Sequence, residues 1–175
     1  MNLANLWESF AWFLEKGGDP LVAIFALTLL MWTLIFERLF YMHLSHPQYV
    51  KSLTQKWRAQ AGLERWKVKQ IRRMLISEAG QRLSRSLPMI GTLVALCPLL
   101  GLLGTVTGMI EVFDVMAIAG NANPRAMASG VSKATIPTMA GMVAALSGLY
   151  MSLQLKRTAQ KKRSQVEDLL SPLEG

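Results

Sequence analysis

The run from Leu87 to Ile110, LPMIGTLVALCPLLGLLGTVTGMI, constrains this chain most: 24 consecutive residues without an acid or a base. About 20 apolar residues cross a hydrocarbon core of about 30 Å, so the run predicts a membrane-spanning helix. Its glycines point the same way. Gly101, Gly104 and Gly108 would each cost roughly 1 kcal/mol against alanine in a water-exposed helix. In a bilayer, small residues instead let helix backbones approach closely, and Gly104–Gly108 is a GxxxG step.

Two further runs are free of charge: Pro20 to Phe36, 17 residues, and Ala134 to Leu155, 22 residues. The first reaches spanning length through Arg38, whose stem can lie along apolar surface while its head reaches the headgroups. Before it, Leu3, Leu6, Trp7, Phe10, Phe13 and Leu14 recur at helical spacing, the pattern of an amphipathic helix lying in the membrane interface. Gly17-Gly18 ends that helix, and Asp19-Pro20 starts the next. The acidic start, with Glu8, Glu15 and Asp19 against Lys16, does not fit a secretory signal.

The fold class is therefore all-α, a polytopic membrane protein with three transmembrane helices. The divisions are residues 1–19 as the amphipathic helix and 20–44, 87–110 and 134–155 as the spans. Between them lie a helical region at 45–86 and a loop at 111–133, followed by a tail at 156–175. Charge sets the orientation. Residues 37–86 hold eleven of the nineteen Lys and Arg against three acids, whereas 111–133 is neutral with two of each sign. Basic loops stay on the cytoplasmic side, so 37–86 and the tail are expected inside, with the N-terminus and the 111–133 loop outside. The same rule accounts for the basic region around Trp57 and Trp66 without nucleic acid, since no recognition motif accompanies the charge.

Along the third span Ala134, Thr138, Gly141, Ala145, Gly148 and Ser152 alternate in steps of four and three, one small-residue face. Gly101, Thr105 and Gly108 form a similar stripe on the second. Such faces suit either tight helix contact or the lining of a passage. Thr105 lies five residues inside Ile110 and Thr138 four inside Ala134, so at about 1.5 Å per residue both hydroxyls sit roughly 6–8 Å from the same edge. Each threonine has two readings, a hydroxyl facing a lumen or one bonded to its own helix carbonyl at i−4. No Asp, Glu, His, Lys or Arg lies within the three charge-free runs, although proton relays need such a group. Cys97 in an apolar span is a poor proton carrier. If protons pass, another chain supplies the titrating group. His43 and His46 lack a third metal ligand beside them, and no nucleotide, redox or hydrolase motif is present. Neither cofactor, metal nor catalytic site is expected.

PLLGLLGTVTGMIEVF at Pro98–Phe113 and GVSKATIPTMAGMVAA at Gly130–Ala145, with Glu37-Arg38 after the first span, resemble the MotA/TolQ/ExbB proton channel family, nearest its ExbB branch. The resemblance implies an inner-membrane homopentamer whose second and third spans enclose a pore. It implies an ExbD-like single-span partner in that pore carrying the titrating aspartate, and a TonB-like transducer energised by the proton-motive force for outer-membrane transport. A TolQ-like role in envelope integrity and a non-conducting scaffold are the alternatives. Thr105 and Thr138 match the family's pore threonines. Gly101, Gly104, Gly108, Gly141, Ala145 and Gly148 are the expected packing positions. The chain departs from the family at Lys133, where a glutamate is usual (GISEAL), and at Ser147, where a proline is usual.

Overall fold

The computed structural model describes residues 3–58, 65–119 and 124–170. Five α-helices follow one another: α1 Leu3–Phe40, α2 His46–Arg58, α3 Arg65–Ser84, α4 Leu87–Ala119 and α5 Pro124–Leu169, with a π-helical segment at Tyr41–Ser45. No strand occurs among the described residues. Three helical stretches are long and apolar enough to cross a membrane, within Gly17–Leu44, Lys69–Ala117 and Met127–Leu169.

Helix breaks fall where backbone chemistry requires them. Inside α1, Gly18 takes φ 64° and ψ −167°, a left-handed region that favours glycine. Pro20 then stands in the opening turn of the second half, where its missing N–H is harmless. The wide turn of Tyr41–Ser45 precedes Pro47, which has no N–H for the carbonyl four residues earlier; a π segment absorbs that mismatch. A two-residue turn at Arg85–Ser86 separates α3 from α4. Pro88 disfavours helix at the residue before it and cannot bond the Ser84 carbonyl. The ladder resumes when the Ile90 amide donates to Ser86, 3.1 Å away.

The expected loop at 111–133 is mostly helix: α4 continues to Ala119, and α5 begins at Pro124. Charges at Glu111 and Lys133 limit how far apolar surface extends, but EVFDVMAIA contains no helix breaker, and Pro124 is a favourable first residue. Asn121, within that expected loop, lies outside the described residues. So do the side chains of residues 3–16 that would carry the amphipathic stripe.

The helices sort into two compact units. One comprises Met1–Trp32 with Gly91–Leu149. There Leu21, Ile24, Met31, Val94, Cys97 and Ala134 are buried, while Leu99, Leu102, Val106, Met139, Val143 and Leu146 are exposed. That inside-out distribution suits helices whose solvent is lipid.

The other comprises Thr33–Ile90 with Tyr150–Gly175. Its core is that of a water-soluble helical bundle: Leu53 and Trp57 of α2, Leu75, Ile76 and Ala79 of α3, Val166 of α5, and Leu170 just beyond it. Trp57 is 4% exposed, so it has no face available for base stacking. Arg72 caps α5, donating from Nε to the Leu170 carbonyl at 2.6 Å and from Nη2 to the Glu167 carbonyl at 3.2 Å. Lys162 Nζ donates to the Met42 carbonyl in the π segment, and Arg38 Nη2 donates to the Arg82 carbonyl. These cations satisfy carbonyls that helix ends and the wide turn leave without partners.

Candidate functional site in the α4–α5 seam

Within the first unit α4 and α5 run antiparallel, and glycines set their separation. A β-carbon at Gly108 would lie 2.6 Å from the Ala134 Cβ, at Gly104 2.5 Å from the Pro137 Cβ, and at Gly101 2.9 Å from the Thr138 Cα. At Gly141 it would lie 2.5 Å from the Cys97 carbonyl oxygen. At Gly148 it would collide with Met31 of α1 and stand 2.8 Å from Val94 Cγ2. The register is regular: each step toward the end of α4 meets a step toward the start of α5. Ala145 is half-buried on the same face by spacing.

The two threonines behave differently. Thr138 Oγ1 donates across the seam to the Gly101 carbonyl at 2.8 Å; a side chain at Gly101 would fill that approach. Thr105 Oγ1 donates to its own helix, to the Leu102 carbonyl at 2.7 Å, three residues back. Neither makes the i−4 bond weighed from sequence. Thr107, in contrast, reaches both the Leu103 and Gly104 carbonyls at 3.1 Å. Each hydroxyl has one proton and two acceptor positions, so Thr105 and Thr138 keep their acceptor capacity while their protons are engaged.

At the Glu111 end of the seam a charged pair closes the two helices. Lys133 Nζ lies 2.6 Å from Glu111 Oε2, with side chains 38% and 58% exposed. The Lys133 stem also passes 3.9 Å from where a Gly18 β-carbon would stand, beside the kink in α1. One side chain thus pairs α5 with α4 and passes beside the kink of α1. Asp19 shares the groove of about 590 Å³ that Glu111 and Lys133 line. Glu111 immediately follows the charge-free run Leu87–Ile110, and the sequence alone pairs it with nothing. The antiparallel register would have found it, because a helix pair that sets Gly108 against Ala134 brings Glu111 close to Lys133. Lys133 thus has an ion-pair partner in its own chain.

Among the described residues no three His, Cys, Asp or Glu side chains gather as metal ligands; His43 is exposed, and the His46 side chain lies outside those described. Cys97 is buried and donates weakly to the Leu93 carbonyl at 3.4 Å. The seam can therefore position hydroxyls and carbonyls, but it holds no acid or base of its own between Glu111 and Lys133 at one end and Lys156 at the other.

Residues 34–168 match the MotA/TolQ/ExbB proton channel family. The chain belongs to that family. Relatives include the biopolymer transport protein exbB1 of Vibrio cholerae, 34% identical over 131 residues, covering 74% of this chain and 51% of that protein. An ExbB-like protein of Synechocystis is 45% identical over 73 residues, 40% of this chain and 29% of its own length. The Tol-Pal system protein TolQ of Pseudomonas aeruginosa is 35% identical over 74 residues, 42% and 32% respectively. The chain spans about half the length of these relatives or less. ExbB-named and TolQ-named proteins both match, so family membership is common ground between the two outputs. It is a family of membrane channels, not of enzymes.

Proposed function

We propose that the chain is a subunit of a proton-driven stator in the bacterial inner membrane, where it energises TonB-dependent transport across the outer membrane. A homopentamer would enclose an ExbD-like helix whose aspartate takes up and releases the proton. The seam supports this reading: two hydroxyls stand about one helical turn apart along α4, Thr138 level with Gly101 and Thr105 four residues beyond it. Their spans hold no Asp, Glu, His, Lys or Arg, an arrangement that solvates a proton carrier without competing for the proton. Thr138 and Thr105 accept a hydrogen bond from the protonated acid as they stand, and each turns its own proton from a carbonyl to the carboxylate. The excess of Lys and Arg in residues 37–86 supports an N-terminus in the periplasm and a C-terminus in the cytoplasm by the positive-inside rule.

The test is uptake through a TonB-dependent receptor, with complex yield as control. Thr138→Val and Thr105→Val should abolish uptake at normal yield, and Thr138→Ser should retain it. Normal uptake in both valine variants would remove the threonines from the mechanism. Orientation is tested by labelling single cysteines in a Cys97→Ala background: a periplasmic reagent should modify position 121 and spare 56 and 162.

The TolQ match supports a second reading, in which the same motor serves envelope integrity. Detergent sensitivity of a deletion strain with intact iron uptake would favour it. Output that survives collapse of the proton gradient would favour a scaffold that conducts nothing.

A further inference from the structure

The second unit contains a groove of about 560 Å³ lined by α3, the start of α4 and α5. It lies at the level where polar α3 gives way to apolar α4 and where α5 passes from apolar to charged sequence. Its floor is Leu83 and Leu87, both buried. Its walls carry Lys156 and Arg163 from α5 and Ser77 and Ser84 from α3, and no lining residue is acidic. Lys156 and Arg163 are seven residues apart, two turns along one face. Neither has an ion-pair partner among the described residues. Arg72 and Lys162 of this unit donate to carbonyls and Arg82 pairs with Glu78 at 3.0 Å; Arg157 and Lys161, like the groove pair, have no ion-pair partner among the described residues. The Arg163 side chain passes over Gly80, where a β-carbon would sit 3.4 Å from Cδ and Nε.

Two unpaired cations and the Ser77 hydroxyl over an apolar floor have the chemistry of a phosphate monoanion site with a greasy neighbour; Ser84 Oγ donates to the Gly80 carbonyl at 2.9 Å and is engaged. Lys156 directly follows the last residue of a charge-free run, and Leu87 opens another. The groove therefore lies at headgroup level, where basic recesses between membrane helices take lipid phosphates. We propose that it binds the phosphate-bearing headgroup of an anionic phospholipid of the leaflet on its side of the membrane. Lys156 and Arg163 would face the phosphate, and the acyl chains would run along the apolar flank beyond Leu87. This inference rests on α4 and α5 crossing the membrane, not on the proposed role in transport.

Native mass spectrometry of the detergent-extracted full chain tests it, with phosphatidylglycerol, phosphatidylcholine and inorganic phosphate as separate probes. Wild type should retain phosphatidylglycerol over phosphatidylcholine. Lys156→Gln/Arg163→Gln should weaken that retention about thirtyfold, as expected for two cations at an anionic headgroup. Gly80→Phe, which fills the groove without altering charge, should weaken it comparably. Arg157→Gln/Lys161→Gln removes the same charge from exposed α5 positions outside the groove and should change little. Equal losses in the two double variants would attribute binding to the general basic field and overturn the site. So would equal retention of the two lipids, saturable binding of inorganic phosphate without lipid preference, or a change of oligomer mass in the groove variants without a change in lipid retention.

Discussion

The α4–α5 seam and the α2–α3–α5 core are both helix packings, yet they use opposite residues. The core gathers Leu53, Trp57, Leu75, Ile76, Val166 and Leu170. The seam gathers Gly101, Gly104, Gly108, Ala134 and Gly141. The solvent explains the difference. In water, removing large apolar side chains from solvent drives association at about 25 cal/mol per Å². In lipid that term vanishes between helices, and association depends on close backbone approach, dispersion and interhelical hydrogen bonds. Bulk stabilises one region and would separate the helices of the other.

Substitutions of opposite sense should therefore break the two regions. The largest effect is expected at Gly141, where a leucine's first carbon already meets the Cys97 carbonyl oxygen at 2.5 Å. Backbone cannot move aside as a side chain can, so Gly141→Leu should abolish recovery of the proposed oligomer from detergent extracts. A wild-type mass would show that the seam tolerates bulk. Trp57→Ala applies the reverse change to the other core and should cost about 3–5 kcal/mol by cavity formation and lost burial. Thermal melting of the extracted protein reads it; an unchanged midpoint would mean that this cluster does not carry the unit's stability.

Smaller effects sharpen the contrast. Thr138→Val removes one cross-seam bond, worth about 0.6 kcal/mol on average for hydrogen bonds between membrane helices. Its stability change should be small beside its proposed effect on coupling, and a melting shift as large as that of Trp57→Ala would recast Thr138 as structural. Breaking the exposed Lys133–Glu111 pair should cost at most about 1 kcal/mol. Lys133→Glu should impair output by setting two acids together at that end of the seam. The reciprocal Lys133→Glu/Glu111→Lys variant should restore output; if the swap fails, the position of each charge matters beyond their pairing.

The least effect is expected from pH. Burial, and then the negative charge of Glu78, raise the Tyr49 phenol above its ordinary value, with Arg82 opposing. The folded state thus holds that proton more tightly than the unfolded chain. This contribution is complete below the unfolded phenol value of about 10 and falls as pH rises through the folded value. Tyr49→Phe should flatten the alkaline limb of stability, measured between pH 9 and 11 on the order of one unit apart.

The sequence by itself determined three spans, their charge asymmetry and the small-residue faces. Uninterrupted apolar length and helical spacing are local properties that survive translation into any fold. The identity of the family was also legible, because its glycines and threonines stand at positions that close packing restricts. Only the tertiary structure decided which carbonyl Thr138 meets and that Glu111 neutralises Lys133, residues separated by 37 and 22 positions from their partners. Each depends on the axial register of α4 against α5. Stripes of small residues leave that register open until glycine, proline and alanine interlock, since a shift by one heptad presents nearly the same face. The extent of helix beyond the spans was likewise hidden, because a charge at Glu111 or Lys133 limits burial in lipid without ending a helix.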